Sequence, residues 1–121
     1  MRYLCLIYWD EQKLATLPAD ELNALNAAHL DFNDDLRRSG HFIEAEALQP
    51  SRESRCVRVK NAKPLITDGP FAEAKEVVAG FYLLEVRDEA EALEIAARIP
   101  SASYATIEVR QGRTLVVAGR S

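Results

Sequence analysis

Residues 2–9 form a strand-like segment whose side chains are apolar on both alternating faces. Such a strand must be covered on both sides, because either face would otherwise expose apolar surface to water. The helices of so short a chain supply one cover, and a second copy of the chain is predicted to supply the other. One face carries Tyr3, Cys5, Ile7 and Trp9, and the other carries Leu4, Leu6 and Tyr8.

The remaining pattern predicts one α+β domain spanning residues 1–121. Gly40 suits a helix end, and Asp88 with Glu91 forms a capping-box pattern at the start of a second helix. The order β-α-β-β-β-α-β is that of a ferredoxin-like split βαβ subunit, with an antiparallel sheet covered by helices on one face. The predicted elements are strands at 2–9, 41–47, 55–60, 79–86 and 104–110, helices at 18–39 and 89–99, a short extended piece at 64–67, and an edge strand at Val116 and Val117.

Composition and motifs exclude several functions. The net charge of −4 argues against nucleic acid as a partner, since phosphate binding depends on clustered Lys and Arg. No segment approaches the roughly 20 apolar residues that span a bilayer, so a cytoplasmic protein without membrane contact is predicted. Cys5 and Cys56 lie in strand-like segments and are predicted to be buried reduced thiols. No phosphate loop or zinc motif occurs, so no metal and no cofactor are predicted.

His29 is the first candidate functional residue. It occupies a position where leucine is expected, because it lies on the apolar stripe of the helix at 18–39. A buried imidazole needs a hydrogen-bond partner, so one interpretation is a core histidine bonded to the backbone. The other is a ring that faces a cleft and exchanges a proton near neutral pH. The sequence leaves both interpretations open.

Asp68 is the second candidate, in the turn-forming run that continues through Pro70 and Phe71. Asp-Gly is a common turn pair, so a purely conformational role is one interpretation. The other is a carboxylate that orients a histidine and favours its charged form. Phe71 is also a candidate for ligand binding. Tyr8 and Tyr82 join it, since each carries a phenol that could face a pocket, although aromatics in strands more often belong to the core.

Several segments together resemble one family. They are residues 2–8 (RYLCLIY), 28–32 (AHLDF), 47–50 (ALQP), 67–76 (TDGPFAEAKE), 80–83 (GFYL) and 96–100 (AARIP). In these segments the chain resembles the YCII-related family, in its DGPF-motif branch. The resemblance implies a dimeric α+β barrel of ferredoxin-like subunits, a plan shared with muconolactone isomerases and with a dehydrochlorinase. It also implies an acid–base pair, which falls on His29 and Asp68. The chain departs from the motif at Ala74, where threonine is common.

Two functions are compatible with these observations. The first is a cofactor-free lyase or isomerase that moves a proton on a small anionic or cyclic molecule, with His29 as the acid or base and Asp68 as its orienter. The second is a non-catalytic module that binds a ligand or a transcription factor. Because some proteins of the DGPF branch occur with extracytoplasmic-function sigma factors, the resemblance makes such a factor the expected partner of a regulatory module.

Overall fold

The computed structural model describes residues 1–120 and confirms an α+β ferredoxin-like fold. Within these described residues, six strands and three helices follow one another, with short 3₁₀ turns at Ser51–Glu53 and Pro100–Ser103. The strands and helices are β1 (Arg2–Asp10), α1 (Glu11–Ala15), α2 (Ala19–Ser39), β2 (Phe42–Ala47), β3 (Arg55–Lys60), β4 (Lys63–Asp68), β5 (Glu76–Glu85), α3 (Glu89–Arg98) and β6 (Thr106–Gln111).

The main sheet has four antiparallel strands in the order β2-β5-β1-β6. This order places β1 in the interior, where Cys5 lies opposite Tyr82 of β5 on one side and Val109 of β6 on the other. The sheet remains open within one chain. Closure into a dimeric barrel therefore stays a prediction.

The two faces of β1 have different surroundings, in agreement with the alternating pattern. One face packs under α2 and α3, and its four side chains are at most 6% exposed. Leu4, Leu6 and Tyr8 on the other face are half-buried, as are Phe81 and Leu83 beside them on β5. This open face is the surface on which a homodimer is predicted. The buried side chains are Tyr3 5%, Cys5 0%, Ile7 6% and Trp9 3%.

Strands β3 and β4 form a separate two-stranded hairpin. The short extended piece predicted at 64–67 is thus a full strand, and its partner is β3 rather than the main sheet. Asn61 and Ala62 make the turn with positive φ angles of 51° and 64°. Cys56 on this hairpin is half-buried rather than fully buried as predicted.

Other boundaries differ from the predicted ones for local reasons. Helix α1 was not predicted, and it forms because the Asp10 carboxylate accepts from the backbone amides of Gln12 and Lys13. Strand β5 begins at Glu76, three residues before the predicted start. The predicted edge strand at Val116 and Val117 is wrong. Val116 is 83% exposed, and β-forming residues without a neighbouring strand edge make no ladder.

The start of α3 follows the predicted capping pattern with one change. The Asp88 carboxylate accepts from the Glu91 amide at 2.9 Å. The Glu91 carboxylate accepts from the amide of Arg87 at 3.0 Å, one residue before the expected partner. Within residues 1–120, no helix combines the length and the apolar character that crossing a membrane would require.

Candidate functional site

Helix α2 positions His29 against the main sheet. Leu25, Phe32 and Leu36 on the same stripe are buried, so the stripe docks onto the sheet and carries the imidazole with it. The helix ends at Gly40, whose φ of 81° is the left-handed conformation that glycine adopts without a Cβ clash. His29 itself is half-buried, so its ring lies between core and surface.

Both ring nitrogens of His29 are hydrogen-bonded to side-chain hydroxyls. Nδ1 lies 2.8 Å from the Tyr82 hydroxyl, and Nε2 lies 2.7 Å from Ser101 Oγ. The Trp9 indole donates to the same Ser101 oxygen at 3.3 Å. The His29 and Tyr82 rings stack at 5.9 Å, and Phe32 meets Tyr82 edge-on at 5.7 Å. The ring is thus bonded to two side-chain hydroxyls, one of which also accepts from the Trp9 indole, rather than to a backbone carbonyl.

Burial determines the protonation states of His29 and Tyr82. It lowers the pKa of His29 below its ordinary range, because the charged imidazolium loses solvation. Burial also raises the pKa of Tyr82 to about 12. At pH 7 the site therefore holds a neutral imidazole beside a neutral phenol.

The lowered pKa predicts that acid destabilises the fold through His29. Unfolded histidine has a pKa of about 6.5, so between that value and the lower folded pKa the unfolded chain binds more protons. This contribution to the free energy of unfolding is present above pH 6.5 and is lost as the pH falls through the folded pKa. It amounts to about 1.4 kcal/mol for each unit by which the folded pKa of His29 lies below the unfolded one. Urea unfolding from about pH 8 to pH 5 should show a steeper loss for the native chain than for His29→Gln. Equal slopes for the two proteins would contradict the prediction.

Asp68, the predicted orienter of His29, lies at the base of the β3–β4 hairpin. Its carboxylate is 3.3 Å from Arg55 Nε, and the side chain is 86% exposed. Among residues 1–120 no hydrogen bond or ion pair joins it to His29, whose ring nitrogens face Tyr82 and Ser101. A partnership between Asp68 and His29 stays a prediction.

The other predicted ligand-binding residues lie in three different places. Tyr82 is beside His29, on the helix-covered face of the sheet. Tyr8 is on the open face, where its hydroxyl donates to Glu108 at 3.0 Å, and this bond raises the pKa of Tyr8. Phe71 is 77% exposed and lies beneath the Arg58 guanidinium at 5.3 Å. The structure thus brings Tyr82, and neither of the other two, to the imidazole.

Sequence reasoning missed Ser101 and the polar role of Trp9. Ser101 is 2% exposed in the 3₁₀ turn that follows α3, and its hydroxyl joins the indole to the imidazole. A tryptophan on the covered face of β1 signals that its N–H needs an acceptor. No spacing in the sequence indicates that residue 101 supplies that acceptor, because the two are 92 residues apart.

Two surface cavities lie away from His29. The smaller, about 250 Å³, lies between the hairpin and the loop that follows it. The larger, about 410 Å³, is a wide opening along residues 70–77. No group of three or more His, Cys, Asp or Glu side chains within residues 1–120 could hold a metal ion. The smaller cavity is lined by Cys56, Arg58, Leu65, Thr67, Pro70 and Phe71.

Fold and site together define a class of protein: an α+β ferredoxin-like domain whose long helix directs a neutral histidine into a hydroxyl network on the sheet. Comparison with known proteins identifies the family. The profile of the YCII-related domain matches residues 1–114, so the chain belongs to the YCII-related family.

One relative is an uncharacterized protein of Rhizobium meliloti (strain 1021). It is 28% identical to this chain over 110 residues, which cover 88% of this chain and 86% of the relative. The similarity therefore extends over most of both proteins, including the segments that carry His29 and the hairpin.

Proposed function

We propose that this YCII-related protein is a cofactor-free enzyme that moves a proton on a small anionic or cyclic molecule, as a lyase or isomerase. The observation that carries the proposal is the neutral His29 ring, half-buried between the Tyr82 hydroxyl and Ser101. An imidazole that is uncharged at pH 7 can accept a proton, and a hydrogen-bonded hydroxyl can pass one to it.

The proton reaches the ring through Tyr82 in this mechanism. The substrate C–H proton passes to the phenol oxygen while the phenol proton passes to Nδ1, and the C–H electron pair stays on the substrate as an enolate. The resulting imidazolium keeps its second N–H on Ser101 Oγ. An isomerase returns the proton to another carbon, and a lyase expels a leaving group instead.

Deuterium exchange tests this activity without knowledge of the substrate. The protein is incubated in D₂O with a panel of small lactones and cyclic keto acids, and loss of each acidic C–H signal is followed by NMR. Exchange of at least one compound faster than in buffer is expected. A panel that exchanges at the buffer rate throughout would contradict the proposal for this substrate class.

Ser101 is the proposed orienter of the ring. In this proposal Ser101 Oγ accepts the hydrogen bond from Nε2–H of His29, and the Trp9 indole donates to the same oxygen. Nδ1 is then the unprotonated, basic nitrogen that faces Tyr82. In Ser101→Ala the Nε2 proton loses its acceptor, so the population with the proton on Nδ1 should grow. The ¹⁵N shifts of the His29 ring measure this population at pH 8, and exposed Ser103→Ala is the control. An unchanged tautomer in Ser101→Ala would contradict the assignment.

We also propose that the Asp68 carboxylate takes part in this reaction. The family resemblance supports this role for Asp68. Within one chain, however, the Asp68 carboxylate contacts Arg55. Asp68→Asn is expected to slow the exchange if the carboxylate reaches the site in the predicted homodimer. An unchanged rate would assign Asp68 to the hairpin alone.

The second candidate is a non-catalytic regulatory module, as the association of DGPF-branch proteins with sigma factors implies. It is favoured by the position of the two cavities, since neither is lined by His29. It is also favoured by the hairpin, on which Val57 and Ile66 are 62% and 60% exposed. Size-exclusion chromatography with a purified extracytoplasmic-function sigma factor tests it, and co-elution that Val57→Asp abolishes is the expected result. Separate elution would contradict it.

A further inference from the structure

The smaller cavity combines one cationic wall with apolar walls. Alternation along the hairpin puts Cys56 and Arg58 of β3 on the same face as Leu65 and Thr67 of β4. The loop after β4 folds over this face and brings Phe71 to the guanidinium. The lining of the cavity thus combines one cationic side chain with apolar and weakly polar ones.

The Arg58 charge is available to a ligand. Across the described chain, residues 1–120, no carboxylate lies within ion-pair distance of Arg58. Its guanidinium carbon lies 5.3 Å from the centre of the Phe71 ring. A cation–π contact of this kind uses the face of the guanidinium and not its N–H donors. Arg55 lies three residues before Arg58, which places it on the opposite face of β3, and it already pairs with Asp68.

The surrounding charges favour an anion. Lys60 and Lys63 lie opposite each other in the hairpin register, on the same face as Arg58, and no acidic side chain lines the cavity. The Thr67 hydroxyl adds a donor on the facing strand. A carboxylate is the ligand group that a guanidinium binds with two parallel hydrogen bonds.

Size and lining restrict the remainder of the ligand. A volume of about 250 Å³ is below the range of about 300–1,000 Å³ typical of drug-sized ligands. Leu65, Pro70 and Phe71 provide apolar contact for a ring. We propose that this cavity is a binding site for a small aromatic carboxylate, held by Arg58 at its charged end and by Phe71 at its ring. The site is separate from His29, so it does not depend on the proposed function.

Benzoate is the probe for this site. A ¹H–¹⁵N NMR titration of the full chain is expected to give saturable shifts at the amides of Cys56, Thr67 and Phe71. Benzyl alcohol keeps the ring without the charge, and acetate keeps the charge without the ring. Both are expected to bind more weakly than benzoate.

Two arginine variants on one strand supply the matched comparison. Arg58→Gln is expected to weaken benzoate binding by about 10–100-fold, the range for one hydrogen-bonded charged contact. Arg55→Gln removes the same charge from the opposite face and should leave binding within about twofold. Equal weakening by both variants, equal binding of benzyl alcohol, or no saturable shift would overturn the inference. Shifts centred on His29 and Tyr82 would also overturn it and would support the proposed function instead.

Discussion

Replacing His29 with glutamine is expected to slow proton exchange by about 10²–10⁴-fold, the usual contribution of a general acid or base. The glutamine amide can still bond to one of the two hydroxyls, but it neither takes nor gives a proton at neutral pH. Such a loss corresponds to about 2.7–5.4 kcal/mol in the activation free energy. The rate is measured by NMR in D₂O on any compound that the native protein exchanges.

His41 provides the matched control for this variant. It is the other histidine of the chain, and its ring contacts Ser39 and Glu91 rather than the hydroxyl network. His41→Gln is expected to keep the native rate within about twofold. If His29→Gln exchanges as fast as His41→Gln while both remain folded, the imidazole has no part in proton transfer, and the interpretation of His29 as a core residue prevails.

Leu36→Ala is expected to lower the free energy of unfolding by about 2–5 kcal/mol. Leu36 is 2% exposed and lies two turns beyond His29 on the buried stripe of α2. Truncation removes apolar contacts and leaves a cavity between helix and sheet, because the close-packed surroundings relax only in part. Urea unfolding monitored by Trp9 fluorescence measures the change.

The same helix supplies the control. Leu30 is 65% exposed, so Leu30→Ala removes a side chain of equal size from the solvent side. Its effect is expected to be within about 0.5 kcal/mol. Similar losses for the two variants would mean that α2 does not dock through the predicted stripe, and that the placement of His29 against Tyr82 is wrong.

The strongest local patterns predicted the elements that carry the site. Residues 2–9 are apolar on both alternating faces, and this pattern predicted a strand that needs two covers, with its side chains divided into two sets. The structure shows that the helices cover the set that contains Tyr3 and Trp9. The helical recurrence that ends at Gly40 placed His29 on the docking face of α2. Both patterns are local, because the period of a strand or helix decides which side chains share a face.

Less of the hairpin could be predicted. The sequence indicated β-forming residues at 55–60 and 64–67, and these do form strands. Their arrangement as a separate two-stranded sheet is decided by pairing, since each strand bonds to the other and not to the main sheet. The same dependence on a partner edge explains why Val116 and Val117 form no strand.

The sequence by itself determined the fold class, the need of β1 for a cover on both faces, and the presence of a polar ring in an apolar stripe. Only the tertiary structure decided what that ring contacts. Tyr82 and Ser101 bond to the ring and Trp9 bonds to Ser101, because sheet order and the turn after α3 bring these separate parts of the chain together. Hydrogen-bond partners depend on positions in space, and residue spacing along one strand or helix does not encode them.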